Sequence, residues 1–193
     1  MGIRGTTARI AGRCGDSRRT GVANTLGQRL ATGDQEAFAA LYDRLALRLL
    51  RTAATLAGST PEAEDIVHDL FVDLARGRGR LAEVTDLEAY VFTMLRHAVS
   101  RRRRRAAVGR RALETLSAAA RDSGRLVAEP AAFADDGLAR AVAALPEPQR
   151  EVLALKFDGG LTFAEIAAIV GASPNTIASR YRYALEKLRA VLP

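Results

Sequence analysis

Residues 160–180, running Gly160-Leu161-Thr162-Phe163-Ala164-Glu165-Ile166-Ala167-Ala168-Ile169-Val170-Gly171-Ala172-Ser173-Pro174-Asn175-Thr176-Ile177-Ala178-Ser179-Arg180, spell two short helices joined by a tight turn. Thr162 and Glu165 have the spacing of a capping box, in which the Thr hydroxyl caps its own helix and the Glu reaches back. Leu161 and Ile166 are spaced as the accompanying hydrophobic staple. Ile166, Ala167 and Val170 supply a buried side, Gly171 ends the helix, and Ser173 caps the next with Pro174 at its first position. Ile177, Tyr181, Ala184, Leu185 and Leu188 form the inner face of that second helix. Asn175, Thr176, Ser179, Arg180 and Arg182 are left outward, with Ser173 at the turn. This is helix-turn-helix spacing, and in that motif the second helix enters the major groove. Asn reads adenine and Arg reads guanine bidentately, while Ser and Thr serve bases or phosphates. The same spacing also fits a capped helical hairpin with a solvated polar face.

Upstream of this motif the chain also reads as helical. A short helix with Leu138, Val142 and Leu145 should stop at Pro146-Glu147-Pro148, and another should carry Val152, Leu153, Leu155 and Phe157 to Gly159-Gly160. Near the start, residues 34–56 place Phe38, Leu41, Tyr42, Leu45, Leu49, Ala53 and Leu56 on one stripe. Thr60 is the expected N-cap of the next helix, with Pro61 at its first position. Ala63, Ile66, Val67, Leu70, Phe71 and Leu74 form one face of that helix; Glu62, Asp65, Asp69 and Asp73 form the other. A third helix opens near Thr85 or Asp86 and turns Leu87, Tyr90, Val91, Met94, Leu95 and Ala98 inward before the run Arg101 to Arg105. The expected architecture is all-α. A mobile basic tail (1–25) precedes a helical domain (26–105), and a flexible linker (106–136), helical around residues 113–120, leads to the helix-turn-helix domain (137–193).

The composition narrows the function. The 193 residues carry 29 Lys and Arg against 22 Asp and Glu, and Lys156 and Lys187 are the only lysines. A positive charge supplied by guanidinium groups suits phosphate and base edges, so nucleic acid is the first partner to consider and a membrane surface the second. Eight arginines and no acidic residue lie between Arg96 and Arg111. If about six meet phosphates, the log–log dependence of affinity on salt has a slope near −5. Phe92 sits off its helix's apolar stripe and is either a stacking surface for an unpaired base or an edge-of-core residue. The acidic helix face would be repelled by DNA and is better matched to a basic protein surface.

Three stretches carry a family resemblance. Residues 145–153 (Leu-Pro-Glu-Pro-Gln-Arg-Glu-Val-Leu), 160–167 and 175–180 resemble the C-terminal domain of extracytoplasmic-function (ECF) sigma factors of bacterial RNA polymerase. Residues 62–71 (Glu-Ala-Glu-Asp-Ile-Val-His-Asp-Leu-Phe) are similar to that group's core-polymerase-binding helix, and residues 87–105 to its promoter-opening helix. The resemblance implies an alternative sigma factor, a dissociable initiation subunit whose partners are core RNA polymerase, promoter DNA and an anti-sigma factor. Ser173, Asn175, Thr176, Ser179, Arg180 and Arg182 would read the minus-thirty-five element. Phe92, Arg96, His97, Arg101, Arg102, Arg103, Arg104 and Arg105 would serve the minus-ten element and its phosphates. Glu64, Asp65, His68, Asp69 and Asp73 would meet core polymerase. The chain departs from the family's usual pattern at Tyr90, where Trp is common, at His97 for Asn, at Arg101 for Asp and at His68 for Gln.

Other classes find less support. The two histidines, His68 and His97, have no nucleophile-base constellation or Gly-rich phosphate loop beside them, so no catalytic residue, cofactor or small-molecule substrate is expected. Glu64 and His68 share a helical face, but two ligands do not make a metal site. Cys14 is the single cysteine, which excludes an internal disulfide and fits the cytoplasm. No stretch approaches about 18 uninterrupted apolar residues, so no membrane insertion is expected. The main rival is a helix-turn-helix regulator that binds duplex DNA without polymerase. A second is an adaptor whose acidic helix binds protein and whose Arg run binds membrane.

Overall fold

The computed structural model describes residues 26–117 and 136–191, and every regular element among them is helical. The expected tail and residues 118–135 of the expected linker lie outside the described residues. Residues 26–31 form α1. Next comes α2 (Gln35–Ala57), where Asp34 accepts from the Glu36 and Ala37 amides at 3.0 and 3.1 Å. The N-cap of α3 (Thr60–Arg76) is Ser59 rather than Thr60; its hydroxyl accepts from the Glu62 amide at 3.5 Å. Pro61 therefore occupies the second helical position, where its missing N–H also has no intrahelical partner to lose. A 3₁₀ turn over Arg78–Glu83 buries Leu81, and α4 (Leu87–Ser117) starts with Asp86 accepting from the Ala89 amide at 2.9 Å. This helix does not stop at Arg105. The Ala and Arg that follow are strong helix formers, and they carry it into the stretch read as linker.

The C-terminal helices are α5 (Asp136–Ala143), α6 (Glu147–Phe157), α7 (Phe163–Val170) and α8 (Pro174–Val191). The capping box of α7 is formed as its spacing predicts: Glu165 accepts from the Thr162 amide at 2.7 Å and donates its own amide to the Thr162 hydroxyl at 3.3 Å. Gly171 closes α7 with φ of 74°, a left-handed conformation that side chains with a Cβ rarely adopt. Ser173 then accepts from the Thr176 amide at 3.1 Å and opens α8. A small core of Ala141, Leu145, Leu153, Ala184 and Leu188 ties α5, α6 and α8 together.

The larger core is continuous between the two helical domains. Leu41, Leu45, Leu49, Ala53, Leu70, Val91, Phe92 and Leu95 belong to one cluster with Val152, Leu155, Leu161, Ile166 and Ile177. In helix terms, α2 packs on α6, and α4 packs on α2, α3 and α7. Polar contacts rim this junction. The Arg48 guanidinium donates to the Gly159 carbonyl, with Nε at 3.0 Å, and pairs with Glu88 at 2.6 Å. Thr55 donates to Asp158 at 2.7 Å. Burial pushes the Asp158 carboxyl above its ordinary value, although the Thr55 hydrogen bond and the charge of Arg51 act against it.

Two outcomes follow from this packing. A Cβ at Gly27 would lie 2.5 Å from the Leu81 carbonyl oxygen, whereas one at Gly79 meets open space. Gly27→Ala should cost about 1–3 kcal/mol in urea unfolding, and Gly79→Ala should stay within about 0.5 kcal/mol of wild type. The second outcome concerns pH. A carboxyl raised on folding contributes stability that is present below its unfolded value and is lost as pH rises through its folded value. Asp158→Asn removes that loss, so the stability of the variant relative to wild type should increase as pH climbs from the carboxylate range to neutrality. Unfolding curves at a series of pH values check this, and a variant whose stability relative to wild type falls as pH rises would contradict the assignment.

Candidate nucleic-acid and polymerase interfaces

The capped turn between α7 and α8 sets the first site. Ile177, Ala184 and Leu188 are buried, which turns Asn175, Thr176 and Arg182 to solvent and leaves Ser179 and Arg180 half-buried. Ser173 is exposed but engaged, because its hydroxyl holds both the Thr176 amide and, at 2.9 Å, the Thr176 hydroxyl. Arg182 lies over the Tyr183 ring at 5.2 Å and stands 3.8 Å from Glu186. Beside this helix, Tyr181 meets Phe163 at 5.3 Å and Phe157 at 6.0 Å between ring centroids. Phe157, expected inward, is mostly exposed as the outer member of that group.

The second site is α3. Glu64, Asp65, His68, Asp69 and Asp73 are all exposed, as an amphipathic helix with a full apolar face requires. They are not electrostatically equal. Arg102 reaches across from α4 to Glu62 at 3.2 Å and Asp65 at 2.9 Å, so Asp65 is already paired. Asp69 and Asp73 face Arg101, Arg102 and Arg105 across a groove of about 540 Å³ floored by Leu70 and Met94.

The third site is α4, where the structure changes two expectations. Phe92 is fully buried, with Arg48 lying over its ring at 5.4 Å from the centroid. It therefore offers no stacking face in this arrangement; α4 buries more than one stripe because it has neighbours on several sides. Nor do the arginines form a uniform cationic surface. Arg96 pairs with Glu151 at 2.6 Å, and Arg103 pairs with Glu147 at 2.8 Å while donating to the Leu56 carbonyl at 2.7 Å. Arg101, Arg104 and Arg105 are exposed and make no ion pair among the described residues. His97 is exposed, yet partial burial and then Arg96, Arg101 and Arg104 hold its pKa below the ordinary imidazole value. Tyr42, placed on the α2 stripe by its spacing, is half exposed and packs on Phe71 at 4.9 Å.

Sequence reading missed Arg48, Glu147, Glu151 and Asp158, which face partners about 40 to 110 residues away. Helical periodicity carries no information about pairs so far apart. Among the described residues, no group of three or more His, Cys, Asp or Glu could hold a metal ion, and no helix is long and apolar enough to cross a membrane.

Comparison with known proteins agrees with this arrangement. Residues 41–108 match the family model for sigma-70 region 2, and residues 136–188 match that for sigma-70 region 4. The chain is 29% identical over 182 residues to ECF RNA polymerase sigma factor SigK of Mycobacterium tuberculosis, covering 92% of this chain and 97% of that one. Over 52 residues it is 50% identical to ECF RNA polymerase sigma factor RpoE of Cereibacter sphaeroides, covering 27% of this chain and 29% of that one. Two solved structures share the fold. One is CnrH in complex with the cytosolic domain of CnrY (24% identity, TM-score 0.63, covering 88% of this chain and 96% of that chain). The other is the sigma factor RpoE in complex with the anti-sigma factor NepR from Bartonella quintana (25% identity, TM-score 0.56, covering 79% and 96%). With both conserved regions matched in order around the helices described above, the chain belongs to the ECF group of bacterial RNA polymerase sigma factors and is an alternative sigma factor directing RNA polymerase to promoters.

Proposed function

We propose that the two domains divide promoter recognition as follows. The outward strip of α8, with Asn175, Thr176, Ser179, Arg180 and Arg182, reads the minus-thirty-five element as duplex, and Ser173 sets the start of that helix. The exposed acidic face of α3 docks on a basic surface of core polymerase, with Asp69 and Asp73 its principal charges because Arg102 already holds Asp65. Arg101, Arg104 and Arg105, joined by Arg96 and Arg103 when their carboxylate partners leave, take the phosphates of the minus-ten region. Phe92 has no part in base capture. The chain supplies no catalytic residue or cofactor and works in the bacterial cytoplasm. An anti-sigma factor is its expected inhibitor, a reading supported by the sigma factor–anti-sigma pairing seen for the Bartonella quintana relative.

The observation that carries this reading is the segregation of charge. A basic chain keeps five exposed acidic and polar side chains on one helix and its arginine run on another. The free-regulator alternative makes the first domain a dimerisation or signal module, which does not call for an acidic helix face. In vitro transcription of a genomic library by bacterial core polymerase, with and without the protein, tests the proposal through the mapped RNA 5′ ends. Discrete new starts sharing two upstream elements are the expected result; no new starts, together with operator binding by the protein alone, would favour the regulator. In the same assay, Asp69→Arg with Asp73→Arg should weaken core binding about tenfold or more and spare duplex binding by α8. Unchanged core affinity would remove α3 from the interface.

A further inference from the structure

The ion pairs at the domain junction involve the arginines assigned to DNA. Of the six between Arg96 and Arg105, two are held by carboxylates of the other domain, and both carboxylates belong to α6: Glu151 on Arg96 and Glu147 on Arg103. Glu151 is largely buried, so its pairing with Arg96 is shielded from solvent screening, whereas Glu147 is mostly exposed. The domains are held together beside these pairs by the common apolar core, where α2 packs on α6 and α4 on α7, and by Thr55 of α2 on Asp158 and Arg48 of α2 on Gly159. The recognition strip of α8 is different: Asn175, Thr176 and Arg182 remain exposed in the same arrangement.

We propose that Glu147 and Glu151 of α6 occupy the positions that promoter phosphates take on Arg103 and Arg96, so that the closed chain masks its minus-ten surface while leaving its minus-thirty-five reading strip open. This rests on the reading of Arg96 and Arg103 as DNA contacts. A carboxylate and a phosphate compete for the same N–H donors, and a guanidinium whose charge and fork are taken up by Glu147 or Glu151 has less of both to offer a phosphate. Among the described residues, the closed protein therefore meets DNA with three of those six arginines in no ion pair. Arg102 is the remaining member, and it is held within its own domain by Glu62 and Asp65. Displacing α6 from α4 releases two further cations together, which makes domain separation and capture of the minus-ten region a coupled step.

The test uses the full chain without polymerase, in a Cys14→Ser background. Spin labels at Asp43→Cys on α2 and Lys187→Cys on α8 report the distance between domains. Fluorescence anisotropy reports binding to a single-stranded oligonucleotide of random sequence, since phosphate contacts do not depend on sequence. For Glu147→Gln with Glu151→Gln, the distance distribution should broaden to longer values. Single-strand affinity at low salt should rise about tenfold, with a log–log salt slope steeper by about 1.4, the contribution of two more phosphate contacts. Glu36→Gln with Glu83→Gln changes net charge equally at exposed sites and should do neither. The quadruple exchange R96E/R103E/E147R/E151R re-forms the pairs with signs reversed and should restore the short distance, which separates loss of pairing from loss of folding. An unchanged distance in the double variant, or a longer distance without tighter single-strand binding, would overturn the proposal. Both results are independent of the transcription assay, so a failure of masking is distinguishable from a failure of the promoter assignments.

Discussion

The structure depends on α4 being packed on several sides at once. A helix at the edge of a domain needs one apolar stripe, but α4 meets α2, α3 and α7 together, and Leu87, Val91, Phe92, Leu95 and Val99 are all buried. A helix wrapped in this way keeps only a narrow strip for polar residues. The arginines of this helix must leave through that strip. Those on its borders, Arg96, Arg102 and Arg103, pair with neighbouring carboxylates, while Arg101, Arg104 and Arg105 make no ion pair among the described residues. Packing thus sorts a chemically uniform arginine run into paired and unpaired members.

That sorting qualifies what net charge says about function. A charge of +7 predicts affinity for nucleic acid, but affinity is set by cations that can exchange their partners for phosphates. Arg103 is bound to a carboxylate and a carbonyl, and must give up both. Arg101, Arg104 and Arg105, which make no ion pair among the described residues, have no such partner there to give up. The acidic side is sorted in the same manner, since Asp65 is paired and Asp69 and Asp73 line an open groove.

Local structure was legible in the sequence wherever a few adjacent residues determine it. The Thr162–Glu165 box, the Gly171 stop and the Ser173 cap were readable because each motif closes within four residues. Adjacent hydroxyls at Ser59 and Thr60 left the start of α3 uncertain by one position, and the α4 boundary was missed because an Ala- and Arg-rich stretch reads both as linker and as good helix. Side-chain fate was harder. Phe92 looked peripheral when its helix was considered with one partner face, and Tyr42 and Phe157 looked buried because periodicity cannot tell a core position from an aromatic contact at its rim. The domain junction was invisible for the same reason: Thr55 with Asp158, and Arg48 with Gly159, join segments more than 100 residues apart.

If α6 masks the minus-ten surface of α4, promoter opening requires α6 to leave α4. Thr55→Cys with Asp158→Cys in the Cys14→Ser background, joined by a short reducible bis-methanethiosulfonate bridge, tests this most directly, because neither position is among the proposed DNA contacts. The bridged protein combined with core polymerase should give no promoter-specific transcript, and reductant should restore one. A bridged protein that initiates as well as its reduced form would contradict the masking of α4 by α6.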